Sequence, residues 1–212
     1  LSRRGLLSHS HGPSDPAAHK EWAAGLAGGD LKTLTRAVIS RARSHDWRGV
    51  LDSLRPHTPR LWRSLSPEHR DRFMARLSVY WDAHRHRCPQ ETAACVALLR
   101  GRGALRVGAA TILAVEEKAG RIEVESRDKR SGVVTREAFD GVILCTGPDP
   151  DIAKWRSTLI GSLLDSGDAR RDPLGLGIEC NEHGEPIAAA GTPDDRLLLI
   201  GPLRRGESWE ST

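Results

Sequence analysis

Two short apolar runs that end in Gly-Pro constrain the fold of this chain more than any other feature. The run VILC at residues 142–145 enters the turn Thr146–Pro148, and the run RLLLI at residues 196–200 enters Gly201–Pro202. Continuous apolar runs of this length are typical of parallel strands that are buried on both faces. Glycine lets a ligand approach the backbone, and proline stops a strand by removing a donor. Ligands of open α/β sheets bind beyond such strand ends, so the two turns predict a shared nucleotide cleft. An ordinary strand-to-helix turn is the alternative for each of them.

Composition sets the size and class of the protein. The chain has 212 residues and a mass of 23.2 kDa, enough for one large domain or two small ones. No apolar stretch approaches the roughly 20 residues that span a membrane, and the start shows no signal-peptide pattern. We expect reduced thiols in a cytoplasmic protein, because the cysteines are scattered and form no CxxC pair. They are Cys88, Cys95, Cys145 and Cys180.

The net charge of +4 conceals an asymmetry between the two halves of the chain. Residues 1–110 carry a net charge of +10, and residues 111–212 carry −6. A basic first half can attract ligands that bear phosphate groups. A solvated, arginine-rich surface without a ligand explains the same charge equally well.

The hydrophobic period changes along the chain and predicts the domain organisation. Residues 1–16 read as a strand end and a loop, residues 17–103 as helices, and residues 104–212 as mixed α/β with antiparallel hairpins. Helix starts are predicted after the capping residues Asp30 and Ser66. We therefore predict an α/β protein, an incomplete Rossmann-like dinucleotide-binding body with antiparallel β-hairpins and an inserted helical subdomain.

Ser2, Arg3 and Arg4 stand at the apparent end of the first strand. In dinucleotide-binding sheets an acidic residue at the end of the second strand selects NAD, and an arginine there selects the 2′-phosphate of NADP. The planar guanidinium donates two parallel charged hydrogen bonds to a phosphate. The pattern favours NADP, and a basic pair on the surface is the alternative.

Several phrases resemble one protein family in their order and spacing. They are LSRRGLL followed by histidines, SLSPEHRDRFMARLSVYWDAHRHRCP, VILCTGP, RDPLGLGIECNEHG and LLLIGPLRRGESWE. The family is that of the bacterial FAD/NAD(P)-binding proteins with a two-dinucleotide-domain, flavoprotein-oxidoreductase-like fold, with relatives among flavin-dependent hydroxylases. The resemblance spans essentially the whole chain. It implies FAD and NADP as cofactors and a flavin-dependent NAD(P)H oxidoreductase or monooxygenase-like activity.

The resemblance also implies which residues contact the cofactors. Those on the NADP side are Ser2, Arg3 and Arg4. The turn between the nucleotide domains comprises Thr146, Gly147 and Pro148. The late flavin-contacting loop includes Gly201, Pro202, Gly206, Glu207 and Glu210.

The chain departs from the family in its glycine-rich turns. The family has one GxGxxG turn for FAD and a second for the nicotinamide cofactor, and this sequence contains neither. Gly201 and Gly206 have the spacing of a P-loop, but Glu207 stands where a lysine is required. The chain also starts without methionine, within an apparent strand end. We expect a fragment of a flavin-dependent oxidoreductase-like protein that binds neither cofactor tightly.

Other kinds of site are less well supported by the sequence. His84, His86 and Cys88 alternate, which places them on different faces of a helix, so no metal site is predicted. Cys145 at a strand end is expected to be a packing residue. No catalytic acid or base is assigned.

Two further functions stay open. The first is a non-catalytic interaction module, or a partner subunit that completes its nucleotide site with another chain. The second is a nucleic-acid-binding helical domain that uses the basic stretch 36–106, which no recognised motif supports. An open sheet edge also predicts a homodimer, and the remaining partner is an unknown small-molecule substrate.

Overall fold

The computed structural model describes residues 4–145, 152–155 and 158–210, and the chain divides into two compact units. Unit 1 comprises Leu1–Pro13 and Arg76–Cys145, and unit 2 comprises Ser14–Ala75 and Thr146–Thr212. This grouping differs from the predicted helical subdomain 17–103. Residues 76–103 group with the N-terminal residues 1–13, and residues 17–75 group with the C-terminal part of the chain. His9 N donates to Ala83 O at 2.9 Å within unit 1.

The helices occupy mainly the first half of the chain. In chain order they are α1 Lys20–Ala24, α2 Leu31–Ser44, α3 Trp47–Leu54, α4 Thr58–Ser64, α5 Pro67–Arg76, α6 Ser78–Arg85, α7 Gln90–Gly101 and α8 Thr158–Asp165. Short 3-10 turns lie at Ala17–His19, Arg55–His57, Ile152–Lys154 and Gly201–Leu203. The mixed α/β class predicted from the sequence is confirmed.

The two predicted helix caps are present. The side chain of Asp30 accepts hydrogen bonds from the N–H groups of Lys32 and Thr33, which helix geometry leaves without a partner. Ser66 Oγ accepts from His69 N at 3.3 Å at the start of α5. Local polar chemistry therefore sets both helix starts.

One predicted helix is divided in two. The apolar spacing from Phe73 to His84 predicts a single helix, but α5 ends at Arg76 and α6 begins at Ser78. Leu77 lies between the two helices with φ of −111° and ψ of −27°, and its carbonyl accepts from Tyr80 N. Spacing predicts the apolar face, but it does not predict a one-residue interruption of the backbone.

A three-stranded antiparallel sheet forms the β part of unit 1. Its strands, in the order β1-β2-β3, are β1 Ala110–Lys118, β2 Arg121–Asp128 and β3 Val134–Phe139. The predicted turns are present, with positive φ at Ala119, Gly120 and Gly132. In the two-residue turn between β1 and β2, positive φ at both Ala119 and Gly120 suits the right-handed twist of the strands.

The apolar core lies almost entirely in unit 2. Ala83 and Val124 are the buried hydrophobic residues among those described in unit 1. One cluster in unit 2 contains Ile152, Ile160 and Ile178, with Leu199 and Leu203 packed against it. Unit 2 therefore holds most of the burial that stabilises the chain.

The two apolar runs are not strands. Ile143 is 88% exposed and Ile200 is 83% exposed, and neither run pairs with another strand in the described residues. The prediction of buried parallel strands at 141–145 and 196–200 is wrong for this chain. A parallel strand needs neighbours on its edges and helices on its faces, and local sequence cannot supply them. A Rossmann-like body stays a prediction, since every strand of the described sheet pairs antiparallel.

Candidate cofactor-binding segment

The structure places only some of the predicted cofactor residues. Five predicted positions lie outside the described residues: Ser2, Arg3, Thr146, Gly147 and Pro148. Arg4 is described and exposed, in unit 1. The other five predicted residues lie in the segment Gly201–Glu210 of unit 2, which is called the GP segment below.

The GP segment begins as a 3-10 turn. Ile200 is extended, and Gly201 then turns the chain with φ of +70°. The turn closes through Arg204 N, which donates to Gly201 O at 3.0 Å. No described atom lies within 4 Å of the position that a Cβ at residue 201 would occupy. Among the described residues, the Cβ side of Gly201 therefore faces open space.

Gly206 is held against a buried carboxylate. A Cβ at residue 206 would overlap the side chain of Asp172, which is itself 8% exposed. Asp172 Oδ1 accepts from the N–H groups of Leu174 and Leu176 at 2.9 and 3.3 Å. Burial raises the pKa of the Asp172 carboxyl, and these two hydrogen bonds oppose the effect. An alanine at position 206 would therefore force the buried Asp172 side chain to move.

A second close approach anchors the start of the GP segment. A Cβ at Gly177 would overlap the carbonyl group of Leu203, and Ile178 N donates to that carbonyl at 3.0 Å. Cys180 follows in the same stretch, and burial raises the pKa of its thiol. Cys180 is thus a neutral packing group, whereas Cys145, which was predicted to be one, is exposed.

Glu207 joins two arginines. Arg63 Nε lies 2.8 Å from Glu207 Oε1, an ion pair without hydrogen-bond geometry, and Arg204 donates to Oε2 at 3.0 Å. The Glu207 side chain is 9% exposed. A carboxylate so placed needs cationic partners, and Arg63 and Arg204 supply them.

Aromatic rings hold the far end of the GP segment. Trp62 Nε1 donates to Gly206 O at 2.8 Å, and the Trp62 ring stacks on Trp209 with centroids 5.2 Å apart. Phe73 meets both rings edge-on, at 5.8 Å from Trp62 and 5.4 Å from Trp209. The guanidinium of Arg205 lies 4.3 Å from the Trp209 centroid. Buried ring contacts therefore leave the segment little freedom.

Two buried donors in the GP segment have no acceptor. Among the described residues, neither Arg204 Nε nor Trp209 Nε1 has a hydrogen-bond partner, and both atoms are buried. Arg204 uses another of its nitrogens to donate to Glu182 O at 2.9 Å. An unpaired buried donor costs about 1–3 kcal/mol, so these two N–H groups call for an acceptor.

Sequence reasoning missed three residues that build this site. Trp62, Arg63 and Asp172 contact the GP segment, but they come from α4 and from a loop far away in the chain. Asp172 lies within the phrase RDPLGLGIECNEHG, which was the one signal available for it. Nothing in the sequence around α4 indicates the other two.

The other parts of the described structure offer weaker candidates for a ligand or metal site. A hollow of about 10 Å³ on the sheet of unit 1 holds no more than about one water. Its lining comprises Ala114, Glu116, Glu123, Glu125 and Arg136. Within the described part of the chain, no group of three or more His, Cys, Asp or Glu side chains could hold a metal ion.

Comparison with known proteins identifies no relative. None of the protein-family models, curated proteins or solved structures compared with this chain matches it. No helix among the described residues has both the length and the apolar character needed to cross a membrane.

Proposed function

We propose that this chain belongs to a FAD/NAD(P)-binding, flavin-dependent oxidoreductase-like protein, in which the GP segment contacts the dinucleotide cofactor. One observation carries the proposal. Arg204 Nε and Trp209 Nε1 are buried donors without an acceptor among the described residues. The diphosphate of a dinucleotide and the carbonyl groups of a flavin ring carry acceptors of the kind that these two donors lack.

The charges around the GP segment support an anionic ligand. Four arginines lie at the GP segment beside the carboxylates of Glu207, Asp172 and Glu182: Arg63, Arg70, Arg204 and Arg205. Burial lowers the pKa of the Arg70 guanidinium, and its attraction to Asp172 and Glu207 opposes this shift. Arginine in this setting favours phosphate, since its fork donates paired hydrogen bonds.

The packing of the segment supports a preorganised role. Three contacts fix the backbone of the segment in the absence of a ligand. They are the close approaches of Gly206 to Asp172 and of Leu203 to Gly177, and the ring stack of Trp62 on Trp209. A segment fixed in this way loses little further entropy on binding. Gly201, with open space beside it, is the point where a flat ring or a phosphate can reach the backbone.

The expected division of labour follows from these residues. A bound flavin supplies hydride transfer, and this chain supplies orientation and charge. The GxGxxG cradle is absent from the sequence, so the residues present fit one side of a dinucleotide and leave its diphosphate cradle unfilled. We expect weak binding for that reason.

A second candidate function is an interaction module that completes its nucleotide site with another chain. The exposed apolar side chains of Ile143, Leu144, Leu198 and Ile200 favour it. Apolar groups exposed in sequence stretches typical of buried strands are a common feature of surfaces that another polypeptide covers.

Titration of the purified chain with FAD and with NADPH tests the proposal. We expect saturable changes in flavin fluorescence or in the absorbance band near ~450 nm that flavins show. Replacing Trp209 with Phe keeps the stacked ring and removes the N–H donor. This change is expected to weaken binding about 3- to 10-fold, as for one lost hydrogen bond.

The matched control is Trp47→Phe, whose ring lies under Arg48 and outside the GP segment. It should leave affinity unchanged. A folded chain that shows no saturable signal with either dinucleotide contradicts the cofactor role. If a signal appears only after a second polypeptide is added, the interaction module is the better description.

A further inference from the structure

A buried histidine in unit 2 is paired with an arginine. His19 ends the 3-10 turn Ala17–His19 and is 4% exposed. Arg41 NH2 on α2 lies 3.2 Å from His19 Nδ1. Arginine can only donate a hydrogen bond, so Nδ1 must accept, and the imidazole is neutral with its proton on Nε2. This pairing fails when the ring becomes cationic.

The charged groups around His19 come from three elements. Arg41 and His45 lie on α2 and at its end, and the His45 ring stands edge-on to His19 with centroids 5.2 Å apart. Asp15 precedes the 3-10 turn, and Asp46 caps α3. Burial lowers the pKa of His19 most, Arg41 and His45 add to this, and the two aspartates oppose it.

The segment that contains His19 lies against α3 through further contacts. Gly49 approaches the backbone of Asp15 so closely that a Cβ there would clash. Ser14 Oγ donates to Asp52 Oδ2 at 2.6 Å. Ala23 on α1 and Val50 on α3 are both fully buried. Release of this segment would therefore expose the apolar face of α3.

We infer that the contact between His19 and Arg41 is an acid-sensitive latch, and that protonation of His19 releases the segment Ser14–Leu26 from α2 and α3. Protonation converts the Nδ1 acceptor into a donor that faces Arg41, and it places a second positive charge beside the guanidinium. The latch does not depend on the proposed cofactor role, because none of its residues lies in the GP segment.

The sign of the pH dependence follows from the lowered pKa. The unfolded ring titrates near 6.5 and the folded ring below that value. Between these two pKa values the released state binds more protons than the latched state. The latch is therefore fully formed above pH 6.5, and it weakens as the pH falls toward the folded-state pKa. At pH values below both pKa values, the released population rises about tenfold for each pH unit that separates them.

Hydrogen exchange of the full chain tests the latch. Backbone amides of residues 17–26 are followed at about pH 7.5 and about pH 5, with correction for intrinsic exchange rates. In the wild type, opening of this stretch should increase several-fold at the lower pH. In His19→Gln, whose amide oxygen still accepts from Arg41 but does not titrate, the increase should be absent.

Two control variants locate the effect. His183→Gln, at a ring that is 72% exposed, should behave as the wild type. His45→Gln should retain most of the pH dependence. The latch is refuted if His19→Gln opens with the same pH dependence as the wild type, or if only His45→Gln removes it.

A direct measurement on the wild type covers the case in which His19→Gln does not fold. The imidazole resonances of His19 should titrate below 6.5, with Nδ1 unprotonated in the neutral form. Titration at or above 6.5, or a proton on Nδ1 at neutral pH, overturns the inference.

Discussion

The carboxylate of Asp172 lies directly against the α-carbon of Gly206, with no room between them for a methyl group. The two residues belong to different loops of unit 2, and the contact sets the path of the GP segment. The contact also buries the Asp172 carboxyl group, so the packing of the segment involves a group that can be protonated.

Replacing Gly206 with Ala should destabilise the protein by about 1–3 kcal/mol, because the added methyl overpacks the Asp172 carboxylate. Urea denaturation followed by circular dichroism measures the change. Gly161→Ala is the matched control, since Gly161 lies inside α8 with open space at its Cβ position. That change should stabilise the chain by about 0.5–1 kcal/mol. Equal effects of the two substitutions would contradict the close contact.

Replacing Trp62 with Phe should cost about 1–3 kcal/mol, because Gly206 O loses its donor while the ring stack is largely kept. The same denaturation measurement applies. Trp22→Phe is the control, since that ring contributes a cation–π contact 5.7 Å from Arg41. A loss below about 1 kcal/mol is expected there. If the two variants are equally stable, the indole hydrogen bond has no energetic weight.

Ionised Asp172 should reduce stability at neutral pH. Its folded-state pKa is raised above the value of 3.8, so the folded chain binds more protons than the unfolded chain between those two pKa values. Stability therefore falls as the pH rises through this window. Asp172→Asn still accepts from Leu174 and Leu176 and does not titrate, so its stability relative to the wild type should improve as the pH rises from about 4 to about 7. Denaturation midpoints at several pH values measure the difference, and a constant difference would show that Asp172 has an ordinary pKa.

Replacing Ala119 with Asn should stabilise the β1–β2 hairpin by about 1 kcal/mol. Ala119 has φ of +51°, a left-handed conformation that asparagine tolerates better than alanine. Thermal unfolding reports the gain. The control Ala138→Asn places the same residue in β3, where asparagine is unfavourable, and no gain is expected. A loss of stability in Ala119→Asn would contradict the turn geometry.

Local chemistry was sufficient to predict the helix starts and the hairpins. Asp30 and Ser66 accept from backbone N–H groups two or three residues ahead, and Ala119-Gly120 closes a turn between adjacent strands. All of these interactions lie within a few residues, so composition and spacing contain the information. The assignment of Gly201, Gly206 and Glu207 to one loop came instead from the family resemblance.

The tertiary structure alone decided how that loop is supported and what became of the apolar runs. Trp62, Arg63 and Asp172 meet the GP segment through contacts between distant parts of the chain, which no local pattern records. Ile143 and Ile200 carry the sequence signature of buried strands and are nevertheless exposed. Moving an apolar side chain out of water lowers the free energy. Whether the fold offers a place to bury it depends on the arrangement of the neighbouring strands and helices.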